Sequence, residues 1–202
     1  MTEMCVNNGQ KRPVIRYTDF DLPEHWDIQS ENIAQFPLQV NSTEYNEVRA
    51  LFDKTMAKQY SEIVRIDRIR NKQWYMQYNF YKTFSSKKNT EKKLFHGCSQ
   101  EVASLIINTF FNRSFPGIND VIYGQGAYFS ADASYSHDHT RPSMLNGERC
   151  MFVANVLVGN SALGNRHMKT PPSGYDSTTD GKHIFVTYRD DQAYAAYLIV
   201  YK

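Results

Sequence analysis

YGQGAYFSADASYSHDH, residues Tyr123 to His139, is the stretch on which the reading of this chain turns. Its glycines invite comparison with a phosphate-cradling loop. The dinucleotide fingerprint G-x-G-x-x-G lacks its third glycine here, and no Gly-Lys-Ser/Thr follows to make a P-loop. A second physical use of Gly124 and Gly126 is to remove side chains so that a planar ligand can approach the backbone, with the aromatics as a stacking face and the hydroxyls fixing orientation. The same residues also suit a tight turn into a core strand in which Tyr128 and Phe129 simply pack.

Working outward, a histidine followed by a glycine recurs upstream in LFHGC, Leu94 to Cys98. On a strand His96 points to one face, and Gly97 leaves its own N–H and C=O open. A carboxamide is both donor and acceptor, so one bare peptide unit can bind it twice. A histidine beside a glycine is nonetheless more often structural than catalytic.

The flanking segments set the fold class. NSTEYNEVRALFDKTM reads as a helix capped at Asn41, with Tyr45, Val48, Phe52 and Met56 on one face. EIVRIDRI alternates Val64 and Ile66 against Arg65 and Asp67 like a half-buried strand, and the following segment brings Trp74, Tyr78 and Tyr81 together at helical spacing. Ser99 caps a further helix whose expected apolar face is Val102, Leu105, Ile106 and Thr109. MFVANVLVG, HIFVTY and AYLIVY are β-branched and aromatic runs, with RDDQ as a hairpin turn between the last two. Helices early and strands late predict an α+β fold with antiparallel pairing. Residues 1–19 are polar and aperiodic and read as a linker or chain edge, hinting at further domains upstream. The domain itself is expected over 20–202.

Composition narrows the function classes. With 202 residues, 41% hydrophobic, the chain can bury one sizeable core. Its 23 Lys+Arg against 21 Asp+Glu give no broad field of the kind that marks a nucleic-acid or membrane-surface binder. Cys5, Cys98 and Cys150 fit neither a disulfide framework nor a zinc pattern, so a reducing compartment, cytosol or nucleus, is expected. No signal core or membrane-length apolar run is present, and a soluble protein is expected.

Taken in order, STEYNEV, IDRIRNKQW, LFHG, FNRS, YGQGAYF, SYS, VLVG, IFVTY, QAY and YLIVY resemble the poly(ADP-ribose) polymerase-like ADP-ribosyltransferases. The likeness is to mono-ADP-ribosylating members that accompany macrodomains or WWE domains, and it runs from LPEHW to the last residue. It implies the diphtheria-toxin-like fold, two antiparallel β-sheets forming a split core with flanking helices, and NAD as co-substrate without a metal. By the resemblance, Tyr128 lies against nicotinamide, Ser136 and the Gly97 backbone hold its carboxamide, and His96 bonds the adenosine-side ribose. Asn112 and Arg113 open the loop over the donor, Arg113 being the better candidate for the pyrophosphate. His139 takes the place of a second stacking tyrosine. Ile184 stands where polymerising members carry a glutamate, which implies transfer of a single ADP-ribose to a protein acceptor.

Departures from the family pattern are His139, Cys98 after His-Gly, Phe110 before the FNR segment, and Ala195-Ala196 in place of Pro-Glu. They motivate an alternative, a catalytically silent module of the same fold that binds partners. His137 and His139 lack the further ligands that a zinc site needs. The acceptor and the oligomeric state are not legible.

Overall fold

The computed structural model describes residues 3–7, 10–14, 22–23, 26, 30–85, 90–113 and 121–202, and it divides into two units, Met1–Ser30 and Glu31–Lys202. In the first unit, β1 (Glu3–Asn7) pairs antiparallel with β2 (Gln10–Val14). A linker was expected there. The cue passed over was Asn8-Gly9 between the two runs, since Asn-Gly is a strong hairpin signal in a sequence.

The second unit opens with β3 (Ile33–Pro37) and α1 (Thr43–Met56). Ser42, not Asn41, caps α1 by accepting the Tyr45 N–H at 3.2 Å. Asn41 instead adopts a left-handed turn conformation, φ 68°, which asparagine tolerates better than most residues. Tyr45, Val48, Phe52 and Met56 are buried as their spacing predicts. The next elements are β4 (Ile63–Asn71), α2 (Lys72–Phe84), β5 (Glu91–Cys98) and α3 (Gln100–Asn108). Strand β4 does not alternate as expected: Val64 is exposed and Asp67 buried. The strand lies between two others, and Arg65 ties Asp67 at 2.9 Å. Helix α3 is capped by Ser99 but buries Ala103, Ile106 and Ile107, leaving Leu105 exposed, so its inward face is rotated from the expected one.

The remaining elements are β6 (Ala127–Ser130), α4 (Ala133–His137), β7 (Arg149–Leu157), β8 (Ser161–Leu163), β9 (Ser177–Thr179), β10 (Ile184–Thr187) and β11 (Ala193–Tyr201). The strand order is β3-β4-β11-β7-β5-β6-β10-β9-β8, antiparallel except for the β8–β9 pair. The split expected of the core is visible at one junction, because β5 and β6 pair only at Phe95↔Ser130. Each side of that junction forms its own leaf, antiparallel apart from the β8–β9 pair. RDDQ is not a hairpin turn: β10 pairs with β6 and β9 while β11 pairs with β4 and β7, and Asp190–Gln192 is a short 3-10 turn carrying the chain from one leaf to the other.

Gln192 holds that crossing. Its side chain is wholly buried. The carbonyl oxygen accepts from the Tyr188 and Arg189 N–H groups, each at 3.1 Å, and the amide nitrogen donates to Leu157 O at 3.3 Å and Asp176 O at 2.9 Å. The end of β7 is thereby tied to the exit of β10. Each buried backbone group left unpaired costs about 1–3 kcal/mol, so Gln192→Met, similar in volume but unable to bond, should lose about 3–5 kcal/mol in denaturant unfolding.

Candidate active site

Beyond Phe95↔Ser130 the strands β5 and β6 no longer pair, and a cavity of about 420 Å³ opens beside them. His96 and Gly97 from β5, Tyr128 from β6, and Ser136 and His139 from α4 and its exit all line it. These side chains come from three separate segments. The volume falls in the range, about 300–1,000 Å³, of small-molecule sites.

His96 is oriented by its own neighbourhood. Its Nδ1 lies 2.8 Å from the Tyr128 carbonyl oxygen, which can only accept, so Nδ1 carries the proton. The ring lies against Phe111 and Phe129, with centroids 5.1 and 5.6 Å away. Burial lowers the pKa of His96, the Tyr128 carbonyl acts in the opposite sense, and His139 adds to the depression. A neutral imidazole protonated on Nδ1 presents Nε2 as an acceptor, suited to a hydroxyl group.

Tyr128 is fixed at both ends. Its hydroxyl donates to Gly124 O at 2.8 Å and accepts the Tyr123 N–H at 2.9 Å. Burial pushes the phenol up to about 12, against those two hydrogen bonds. The hydroxyl is therefore spent on the protein, and the ring is what Tyr128 offers to the cavity.

The glycines answer to the protein's own packing. A Cβ at Gly97 would sit 1.9 Å from the Ser136 carbonyl oxygen, so only glycine lets α4 lie against β5. At Gly124, where φ is +130°, a Cβ would meet the Tyr188 hydroxyl at 1.9 Å, and at Gly126 the Thr187 carbonyl oxygen at 2.2 Å. Neither Gly124 nor Gly126 lines the cavity. The expectation that they clear the way for a ligand is corrected: they admit Tyr188 and the β10 backbone.

Two other expected site residues lie outside the lining. Arg113 donates through Nη1 to Tyr188 O at 3.1 Å, so its guanidinium serves the exit of β10. Ile184 opens β10 as expected, but it is buried in a small cluster with Val186 and Tyr188, against which Tyr123, Tyr128 and Tyr135 pack. Tyr135 was missed by the sequence reading. It lines the cavity, and its ring meets those of His139 at 5.0 Å and His183 at 5.1 Å. Its signal was present in SYS, where only the serine was singled out. Phe111 and Arg141 were missed as well.

His137 and His139 part company. The first sits at the end of a helix, not on a strand, with Nδ1 2.8 Å from the Tyr201 hydroxyl, while the second faces the cavity. Among the described residues no group of three or more His, Cys, Asp and Glu side chains is arranged to hold a metal ion. Cys98 stands directly opposite Cys150 across the β5–β7 ladder; burial pushes its thiol up, and the neighbouring Cys150 adds to the shift. It is a poor nucleophile.

Residues 42–183 match the family model described as "Poly(ADP-ribose) polymerase catalytic domain". The chain belongs to this family. It is 35% identical over 200 residues to the protein mono-ADP-ribosyltransferase PARP14 of Homo sapiens, covering 90% of this chain and 11% of that protein. To PARP10 of Mus musculus, also named a protein mono-ADP-ribosyltransferase, it is 35% identical over 182 residues, 82% of this chain and 19% of that one. To the likewise named PARP11 of Homo sapiens it is 31% identical over 213 residues, with shares of 88% and 62%. The chain thus spans less than two thirds of the length of each. As a poly(ADP-ribose) polymerase catalytic domain it has the ADP-ribosyltransferase fold, and the family's co-substrate is NAD.

In this member of the poly(ADP-ribose) polymerase family the state of His96 sets a pH dependence. Its folded-state pKa lies below the ordinary 6.5, so as pH falls the unfolded chain takes up the proton first. The stability contributed by the neutral ring is complete above about pH 6.5 and is lost as pH drops toward the lower folded value. Thermal midpoints measured from about pH 7.5 to 5.5 should fall with acidification, and His96→Gln should flatten that slope. Part will remain, since burial also lowers the pKa of His137.

Proposed function

We propose that this domain breaks the bond between nicotinamide and ribose in NAD and passes a single ADP-ribose to a protein side chain. The observation that carries the reading is the convergence of His96, Gly97, Tyr128, Ser136 and His139 on one cavity. The Tyr128 ring stacks on nicotinamide, for which an aromatic pair contributes about 0.5–1.5 kcal/mol beyond area burial. The Ser136 hydroxyl and the Gly97 backbone hold the carboxamide, and Nε2 of His96 accepts from the adenosine-side ribose. His139, backed by Tyr135, supplies a second aromatic surface.

The chemistry needs positioning more than proton transfer. The C1′–N bond breaks with its electron pair leaving on neutral nicotinamide, and positive charge develops on the ribose carbon. An acceptor carboxylate then forms the new C1′–O bond with no proton to remove. A ribose hydroxyl, the nucleophile of chain growth, would need a base. Ile184 cannot be one, and no Asp or Glu is among the described residues of the lining. The acceptor therefore brings its own nucleophile and elongation does not follow. The relatives' names, each a protein mono-ADP-ribosyltransferase, accord with this. Free, buried Cys98 and Cys150 fit action in a reducing compartment, cytosol or nucleus.

Incubation with labelled NAD and a cell extract should give discrete singly modified proteins, identified by mass spectrometry, with label released by hydroxylamine where the acceptor is a carboxylate. His96→Ala should reduce labelling by at least about tenfold, the loss of roughly one hydrogen bond to the donor. A ladder of long products would contradict the single-transfer reading. A domain that neither takes label nor gains thermal stability from NAD would be a silent member of the family.

A further inference from the structure

Cys98 and Cys150 face each other across the β5–β7 ladder, both free and both buried, and the proposed transfer uses neither. Residues opposed in an antiparallel ladder project to the same face of the sheet. Their separation follows from the ladder itself. The Val158 N–H donates to Thr90 O at 3.3 Å, which makes that opposed pair a hydrogen-bonded one, and such pairs recur at every second residue down to Cys98 and Cys150. The Cα atoms of a hydrogen-bonded pair stand about 5.5 Å apart, inside the range of about 4.4–6.8 Å that a disulfide bridges. We propose that Cys98 and Cys150 form a peroxide-responsive dithiol in the wall of the cavity, closing to a disulfide that shifts β5 beside Gly97. The inference holds whatever the donor is.

Access decides the chemistry. Cys98 lines the cavity and Cys150 is not among its described lining residues, so a small oxidant meets the Cys98 sulfur first. Cys98 is 6% exposed and Cys150 3%, too little for a bulky thiol to attack, so the thiol within reach of an oxidised Cys98 is that of Cys150. With hydrogen peroxide, the Cys98 sulfur forms an S–O bond as the O–O bond breaks, and the released hydroxide leaves as water with the thiol proton. The sulfenic acid so formed is attacked by the Cys150 sulfur: the S–S bond forms, the S–O bond breaks, and hydroxide takes the second thiol proton as a second water. Burial keeps both thiols protonated, so the pair answers to sustained oxidant and not to a brief pulse. A disulfide needs its Cβ atoms about 3.5–4.5 Å apart, closer than the roughly 5.5 Å of an open hydrogen-bonded pair, so closing it draws β5 and β7 together by about 1 Å. His96 and Gly97 immediately precede Cys98 on β5 and move with it.

The test is hydrogen peroxide treatment of the folded chain, followed by intact-mass measurement and peptide mapping, with Cys98→Ala and Cys150→Ala beside it. The wild type should lose two hydrogen atoms in mass, yield one cross-linked peptide joining Cys98 to Cys150, and regain its starting mass in dithiothreitol. Cys150→Ala, deprived of the resolving thiol, should carry at least about tenfold more of Cys98 on to the sulfinic acid. In Cys98→Ala, Cys150 should stay reduced under the same treatment. Thermal midpoints within about 4 °C of the wild type would show that both variants are folded. NMR of the histidine rings, with the His96 signals assigned by His96→Gln, should show those signals moving on oxidation and returning on reduction. Peroxide that leaves Cys98 and Cys150 reduced in the folded chain, or that takes wild-type Cys98 to the sulfinic acid without the cross-link, overturns the dithiol. A disulfide that leaves the His96 signals in place overturns its coupling to the site.

Discussion

The Ser136 carbonyl passes so close to Gly97 that a single methyl group would stand 1.9 Å from its oxygen. That approach draws α4 down onto β5 at the point where β5 and β6 part. It brings Ser136 and His139, both following the helix start at Ala133, to the cavity that His96 and Tyr128 reach from the two strands. Thr140 sits in the same contact, with its Cγ2 within 3.0 Å of where the methyl would be. One missing side chain thus fixes the distance between the two halves of the site.

Around that contact the polar groups are largely satisfied internally. The Tyr128 carbonyl accepts the His96 Nδ1–H, the Tyr128 hydroxyl closes the turn at 123–124, and the Ser136 carbonyl accepts the His139 N–H at 3.2 Å. What remains toward the cavity is aromatic surface with a few polar tips, which is how sites that orient a ligand are commonly built. A pocket walled by aromatic rings, with no carboxylate among its described lining residues, is well equipped for holding a flat ring.

The sequence disclosed the elements more readily than their orientation. The cap at Ser99 and the buried face Tyr45–Val48–Phe52–Met56 follow from local rules, and both are present. Which face of α3 turns inward, and which partners β10 and β11 take, depend on distant strands that no local pattern encodes. The same boundary runs through the site. His96, Gly97, Tyr128, Ser136 and His139, singled out from motifs, all line one cavity, whereas Arg113 lies outside its described lining, because a guanidinium next to a motif does not reveal that a carbonyl 75 residues away will bond it. Tyr135 was overlooked because its value lies in touching His139 and His183, a relation that exists only once the helix is laid against β10. The glycines of YGQG were read for a ligand, since a bare backbone looks the same whether a ligand or another strand approaches it.

Ile184 has a packing role of its own. It is 3% exposed, and the cluster it forms with Val186 and Tyr188 is the surface on which both Tyr128 and Tyr135 rest. An ionised carboxylate in that setting would need partners to offset its desolvation, and the hydroxyls of Tyr128 and Tyr188 are already engaged. The isoleucine removes that cost and fills the space with branched hydrocarbon, which holds the tyrosines in one arrangement. The aromatic wall is thereby held rigid, and on the function proposed above the same residue leaves no base at the opening of β10 to activate a weak nucleophile.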